Sequence, residues 1–320
     1  MKVLLIKTSS MGDIIHCLPA LTDAKKIIPN IKFDWVIEKD YSQIPTWHNA
    51  TKNIFIAPIR QWRKNLFSTK VKIERNIFYK KLQKTYYDAI IDAQGLLKSV
   101  FFVTRFSNGI KHGYDFYSIT EKLASFFYNQ KHYIKKQQHA VERIRQLFAK
   151  SLKYKYKNTK GDFNIINFFS KLTNKTSKPY IIFLHSTTRK NKHWPENHWR
   201  ELIFNIKKLN IKIKLPWSNT YEQQRAFRLA KDFNFVNILP KMTLIEIGQQ
   251  IFNAKAIVSV DTGLSHLASA LNIPNITIFG PTNPKLIGGY GEKQYSIKSY
   301  NKKMSAIKAI DVFKKLNNIL

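Results

Sequence analysis

Residues 1–28 read MKVLLIKTSSMGDIIHCLPALTDAKKII, and this stretch decides the fold. Val3 to Ile6 is an unbroken apolar run, as expected of a strand buried on both faces. Thr8 to Asp13 is polar and carries a single glycine. Ile14 to Ile28 then shows helical spacing, with Pro19 in its early turns. The same order of strand, polar loop and helix returns further along. Phe33–Ile37 and Ala89–Asp92 read as strands, and Ile73, Ile77, Phe78 and Leu82 lie at helical spacing between them. Such alternation predicts a parallel sheet flanked by helices.

The pattern restarts in the second half. Tyr154 to Lys178 is dense in Lys, Asn, Thr and Ser and reads as an interdomain connection. Tyr180–Leu184 opens a second unit, with further strands at Ile211–Leu215, Ala256–Val260 and Asn275–Phe279. The tail has apolar residues at Ile307, Ile310, Val312, Phe313 and Leu316, which predicts a closing helix that packs back on the first domain. A chain of 320 residues suits two domains of about 150 each. The expected division is 1–160, joined by the closing helix 305–320, and 178–304. This is an α/β protein of two Rossmann-like doubly wound domains facing a central cleft, with ligands at the carboxyl ends of the strands.

Composition narrows the function. Hydrophobic residues make up 44% and charged residues 23%, ordinary globular usage. The single cysteine, Cys17, forms no internal disulfide and belongs to no metal-holding cluster. The apolar runs fall far short of the ~18 residues that span a bilayer, and the start lacks the ~7–15 apolar residues of a secretory signal. A soluble cytoplasmic protein is expected. Yet 54 Lys and Arg oppose 20 Asp and Glu, giving a net charge of +34. Part of that excess fits AT-biased coding, since Lys, Asn and Ile are all abundant. The rest argues for a polyanionic partner: nucleic acid, an anionic membrane face or a phosphorylated substrate. Without a basic zinc finger, an aromatic RNA-recognition motif or a long basic helix, nucleic acid is the weakest of these.

Four segments carry chemistry. Lys7 to Asp13 lies between strand and helix but lacks both the dinucleotide fingerprint and the P-loop pattern. Asp13 there serves either as a helix cap or as a general base held at low pKa by the helix dipole. The second segment, AIVSVDTGLSHLA at 256–268, runs from a buried strand into a helix. Its turn N–H groups, with the Thr262 and Ser265 hydroxyls, suit a diphosphate. Gly263 permits close backbone approach, and His266 is either a contact to the same group or a structural histidine. Gly280-Pro-Thr282 adds a tight loop after the next strand. The third segment, His185 to Lys192, offers hydroxyls and cations at a strand end. Glu222 is a weaker candidate for a ribose diol. In the fourth, Ile59 to Phe67, a helix would set Arg60, Arg63 and Lys64 on one face. Trp62 and Phe67 would add apolar bulk for an anionic lipid surface, and Lys98, Arg105 and Lys111 extend the cationic set. The nine histidines show no zinc-like spacing, and His193 and His198 lack metal-binding partners.

Together these residues resemble glycosyltransferase family 9. The resemblance rests on MKVLLIKTSSMGD (1–13), LPAL (18–21), Ile59 to Lys64, DAQG (92–95), KHWP (192–195), DTGLSH (261–266) and GPT (280–282). It runs from Met1 to about Gly291, and the chain end matches poorly. DAQG, FDW (33–35) and QHAVE (138–142) point within the family to the type I lipopolysaccharide heptosyltransferases. The resemblance implies the GT-B fold and inverting transfer of L-glycero-D-manno-heptose from ADP-heptose to the inner Kdo of Kdo-lipid A. It implies Asp13 as the base. It places Thr187, Thr188, Lys192, Glu222, Met242, Asp261, Thr262, Gly263 and His266 around the donor, and Arg60, Arg63 and Lys64 on the acceptor surface. It implies no cofactor or required metal, and an enzyme peripheral on the cytoplasmic face of the inner membrane. Thr120 departs from the family, where a basic residue is common, and Lys111 and Lys122 are the neighbouring candidates to compensate. A later-acting core heptosyltransferase is the alternative within the family.

Overall fold

The computed structural model describes residues 1–172 and 179–320; 173–178, the end of the expected connection, lie outside the described residues. The chain divides into two compact units, Met1–Asn164 and Ile165–Leu320.

The first unit holds a parallel sheet of β1 (Lys2–Ile6), β2 (Lys32–Ile37), β3 (Thr51–Ile56), β4 (Tyr86–Asp92), β5 (Asn108–Tyr114) and β6 (Gln130–His132). The strand order is β3-β2-β1-β4-β5-β6. Central β1 pairs Val3 with Phe33 on one side and with Ala89 on the other. Val3 to Ile6 are fully buried, which is why this run carries no polar residue.

The second unit repeats the plan with β7 (Tyr180–Leu184), β8 (Lys212–Leu215), β9 (Val236–Ile238), β10 (Ala256–Val260), β11 (Asn275–Phe279) and β12 (Gln294–Lys298). Their order, β12-β11-β10-β7-β8-β9, is the same topology. In each sheet the strand order reverses beside the first strand, between β1 and β4 and between β7 and β10. Crevices for ligands open at such points, at the strands' carboxyl ends.

Three expectations need correction. The helix expected over 14–28 is two helices, Met11–Ile15 and Leu18–Ile27. Pro19 occupies the first turn of the second, and inside one continuous helix its ring would meet the Ile15 carbonyl. Asp13 therefore lies within a helix rather than at the end of a loop. The expected connection contains the helix Ile166–Leu172, whose buried Phe169 packs on Gly248. Lastly, the closing helix, Ala309–Asn317, belongs to the second unit. Its Val312, Phe313 and Leu316 enter the same core as Trp194, Trp199 and Leu202. Trp194 Nε1 donates to the Ile307 carbonyl at 2.9 Å, and His198 Nδ1 lies 3.0 Å from the same oxygen.

Candidate active site

At the switch point of the first sheet, the loops after β1 and β4 are tied together. Gln94 Oε1 accepts the Thr8 N–H at 2.9 Å and the Ser9 N–H at 3.3 Å. Lys7 Nζ donates to the Ala93 carbonyl at 3.1 Å, and Trp35 Nε1 donates to the Lys7 carbonyl at 3.0 Å. Beneath them, fully buried Asp92 accepts from Gln94 N, Gly95 N, Ser99 Oγ and Thr104 Oγ1. Burial raises its pKa, and these hydrogen bonds oppose the rise. Gly95 sits at φ +65, a left-handed turn that favours glycine.

Asp13 projects from this scaffold. Its Oδ2 accepts from Ser10 N at 2.9 Å and Ser10 Oγ at 2.8 Å, as the third residue of a capping box. Oδ1 lies 3.9 Å from Lys7 Nζ, and the side chain is 45% exposed. The cap is real, and a solvent-facing carboxylate remains beside a cation. The two readings of Asp13 are compatible in one geometry.

The helix Ile59–Lys64 forms as expected, with Arg60, Arg63 and Lys64 exposed. Trp62 departs from expectation. It is 1% exposed and packs edge-on against Phe78 in the core, so it is no lipid-facing residue. Glu38 anchors the helix by accepting the Arg60 N–H at 3.1 Å, and burial raises its pKa. Lys98 joins this cationic group: burial and then the charges of Arg60 and Arg63 lower its pKa, and Nζ donates to Ser9 Oγ at 3.4 Å. Lys122 lies instead over the Phe116 ring, and exposed Thr120 adds no charge.

At the second switch point, Lys192 Nζ donates to Asp261 Oδ2 at 2.6 Å, with both side chains mostly buried. Thr187 Oγ1 donates to the Asp261 carbonyl at 3.0 Å. Thr262 stands at the N-cap position of the helix Gly263–Ala270 without a side-chain capping bond; Ser265 Oγ donates back to the Thr262 carbonyl at 2.7 Å and His266 is buried. The first-turn N–H groups of such a helix have no intrahelical acceptor and favour an anion. Thr187, Lys192, Asp261, Thr262, Gly263 and His266 thus share one strand-end junction, with Thr188 exposed on the same loop.

Glu222, in the helix Thr220–Ala230 after β8, and Met242, in the loop after β9, are not joined to this junction by a described hydrogen bond or ion pair. Glu222 is engaged in capping, accepting from Ser218 N at 2.8 Å and Ser218 Oγ at 2.7 Å. Met242 is half-buried just before the Thr243 cap. Gly280 fits tightly against Met304 after β11.

Sequence reading missed a pair behind the Thr187 loop, half-buried His193 and buried Arg225. His193 Nε2 lies 2.6 Å from the Thr187 carbonyl, and Arg225 Nη1 lies 3.3 Å from His193 Nδ1. A carbonyl only accepts and a guanidinium only donates, so Nε2 carries the proton. Arg225 is 4% exposed and also donates to the Trp194 carbonyl at 2.6 Å. His193 stands in the KHWP motif, which is a visible signal. Arg225 has none, since its helix reads as a charged surface. Among the described residues no group of three His, Cys, Asp or Glu side chains is placed to hold a metal ion. No described helix is long and apolar enough to cross a membrane.

The chain is similar to known proteins over its full length. Residues 75–317 match glycosyltransferase family 9 (heptosyltransferase). The chain is 51% identical over 317 residues to lipopolysaccharide heptosyltransferase 1 of Salmonella typhimurium, covering 99% of this chain and 100% of that protein. It superposes on the Escherichia coli heptosyltransferase WaaC with ADP at a TM-score of 0.96, 52% identity and full coverage of both chains. The same enzyme with ADP-2-deoxy-2-fluoro heptose gives 0.93 at 51% identity, again over both full chains.

Proposed function

This chain belongs to glycosyltransferase family 9 and works as a type I lipopolysaccharide heptosyltransferase; on that premise we propose that it transfers heptose from ADP-heptose to the inner Kdo of Kdo-lipid A. The observation that carries the donor assignment is the Lys192–Asp261–Thr187 junction at the second switch point, in a chain 51% identical to an enzyme solved with an ADP-heptose analogue.

In this reading Asp13 accepts the proton of the Kdo hydroxyl as that oxygen attacks the anomeric carbon of heptose. Attack opposite the leaving diphosphate inverts the centre. A carboxylate is base enough if the hydroxyl acidifies late, as it does against an oxocarbenium-like carbon. Lys192 and the N–H groups at the start of the Gly263–Ala270 helix stabilise the charge that ADP takes with it. Arg60, Arg63 and Lys64, with Lys98 behind them, meet the carboxylates and phosphates of the acceptor. A lipid-borne acceptor also places the enzyme at the cytoplasmic face of the inner membrane.

The test is ADP release from ADP-heptose with Kdo-lipid A, with the already heptosylated acceptor, and with none. Release that depends on Kdo-lipid A supports the assignment. Release only with the heptosylated acceptor moves the enzyme to a later step.

A further inference from the structure

The surface between β5 and β6 is unusual for a soluble fold. Phe101, Phe116, Tyr117, Leu123, Phe126 and Phe127 are each between 37% and 74% exposed. They are not scattered. Ring centroids of Phe101 and Phe127 lie 5.3 Å apart, those of Phe116 and Phe126 6.2 Å, and those of Phe116 and Tyr117 5.7 Å. Cations lie over these rings. Lys122 Nζ is 4.9 Å from the Phe116 centroid, Lys131 Nζ 5.7 Å from Phe126, and the Arg105 guanidinium 5.7 Å from Phe101.

The exposure is built in. Beneath the turn Lys122–Phe127, Ile119, Ala124 and Tyr128 take the inward positions, and Tyr128 fills the space beside Gly113. Ser118 Oγ accepts the Ile134 N–H at 2.7 Å, and Arg143 donates to the Ser118 carbonyl at 2.7 Å. With the loop pinned from below, the remaining rings pack on one another and stay partly exposed. A contiguous apolar patch rimmed by cations marks an interaction site.

We propose that this aromatic ridge docks the enzyme on an anionic phospholipid surface. Ring bodies enter the headgroup layer while Lys and Arg stems reach outward to lipid phosphates. The +34 chain favours an anionic surface at longer range. The ridge also adjoins the cationic acceptor group. Lys98, grouped with Arg60 and Arg63, and Phe101 lie three residues apart on the helix Leu97–Phe102 and so share a face. Docking through the ridge would hold those cations at headgroup level, where a lipid-borne sugar is presented. The inference rests on the lipid-linked acceptor proposed above. It takes precedence over the segment 59–67 as the principal lipid contact, because that segment buries Trp62 and offers only Leu66 and Phe67 as exposed apolar side chains beyond the helix Ile59–Lys64.

The test is flotation of the full chain with vesicles of phosphatidylglycerol and phosphatidylethanolamine, against phosphatidylcholine alone. Wild type is expected to float with the anionic vesicles and to release at high salt. The double variant Leu123→Ser/Phe126→Ser should lose anionic vesicle binding by about tenfold or more. It should keep its melting temperature and its turnover of a water-soluble, deacylated Kdo acceptor. Wild type that ignores anionic vesicles, or a double variant that binds like wild type, overturns the proposal. So does a variant that also loses turnover of the soluble acceptor, since the ridge would then belong to the acceptor pocket or to folding. Failure of wild type on the soluble acceptor would count against the function reading alone, leaving the vesicle result to decide the ridge.

Discussion

Lys192 Nζ lies 2.6 Å from Asp261 Oδ2, at the point where the second sheet reverses its strand order. The pair links the loops after β7 and β10, which are 69 residues apart in sequence. In the proposed reading it holds the ammonium where the donor diphosphate would bind. A preoriented cation loses little entropy on binding, which favours both affinity and leaving-group stabilisation.

Lys192→Met is therefore expected to raise the KM for ADP-heptose and to lower kcat. It leaves the Asp261 carboxylate, 7% exposed, without its cation, so stability should fall by about 1–3 kcal/mol. Steady-state kinetics with a parallel melting curve measure both. A normal KM together with reduced stability would make the pair purely structural.

Asp13→Asn separates the observed cap from the proposed base. The amide oxygen still accepts from Ser10, so the melting temperature should hardly move. An amide cannot take the acceptor proton, so kcat should fall by about 10²–10⁴-fold. Asp13→Ala should add a capping cost of about 1 kcal/mol. Near-wild-type kcat in the Asn variant would reduce Asp13 to a cap.

His193 should be replaceable by a residue that donates to the Thr187 carbonyl. His193→Ala loses that bond and is expected to raise the donor KM by about fivefold, the worth of one ordinary hydrogen bond. His193→Gln retains an N–H donor and should stay within about twofold of wild type. Equal KM values for the two variants would show that the loop needs no such clip.

Acid should destabilise the first unit through His48. Burial lowers its pKa from 6.5 to about 4, while Ala50 N donates to Nδ1 and Thr22 Oγ1 meets Nε2 at 2.9 Å. Between those values the unfolded chain binds a proton that the native imidazole refuses. Stability is full above 6.5 and falls as pH drops toward 4, by about 2 kcal/mol at pH 5. Melting temperatures from pH 7.5 to 5 should show this slope, and His48→Gln should reduce it without removing it, since burial also lowers the pKa of His112 in the same unit to about 4.

The central strands were legible because each is buried on both faces and so is apolar throughout. Val3–Ile6, Tyr180–Leu184 and Ala256–Val260 are fully or almost fully buried. The edge and outer strands β3, β5, β6, β9 and β12 were not. Their burial patterns mix exposed and covered positions, and polar residues such as Lys52, Asn53, Lys111 and Lys131 interrupt the apolar signal. The site divides along a similar line. Asp13, Thr187, Lys192 and Asp261 lie in the segments that follow strands β1, β7 and β10, where parallel topology gathers loops on one edge. Arg225 lies in a helix indistinguishable from a solvated one until the fold buries it behind His193.

The sequence by itself determined the doubly wound α/β plan, the two-unit organisation, the family and the candidate strand-end loops. All of these depend on local periodicity or contiguous motifs, which a chain displays without being folded. The tertiary structure decided that Trp62 is core while Phe126 is surface, that the closing helix Ala309–Asn317 packs in the second unit, and that Lys192 meets Asp261. Each of these turns on which distant segment covers a side chain. Burial is a property of the packed whole, and an aromatic residue or a lysine reads the same in sequence whichever way the fold turns it.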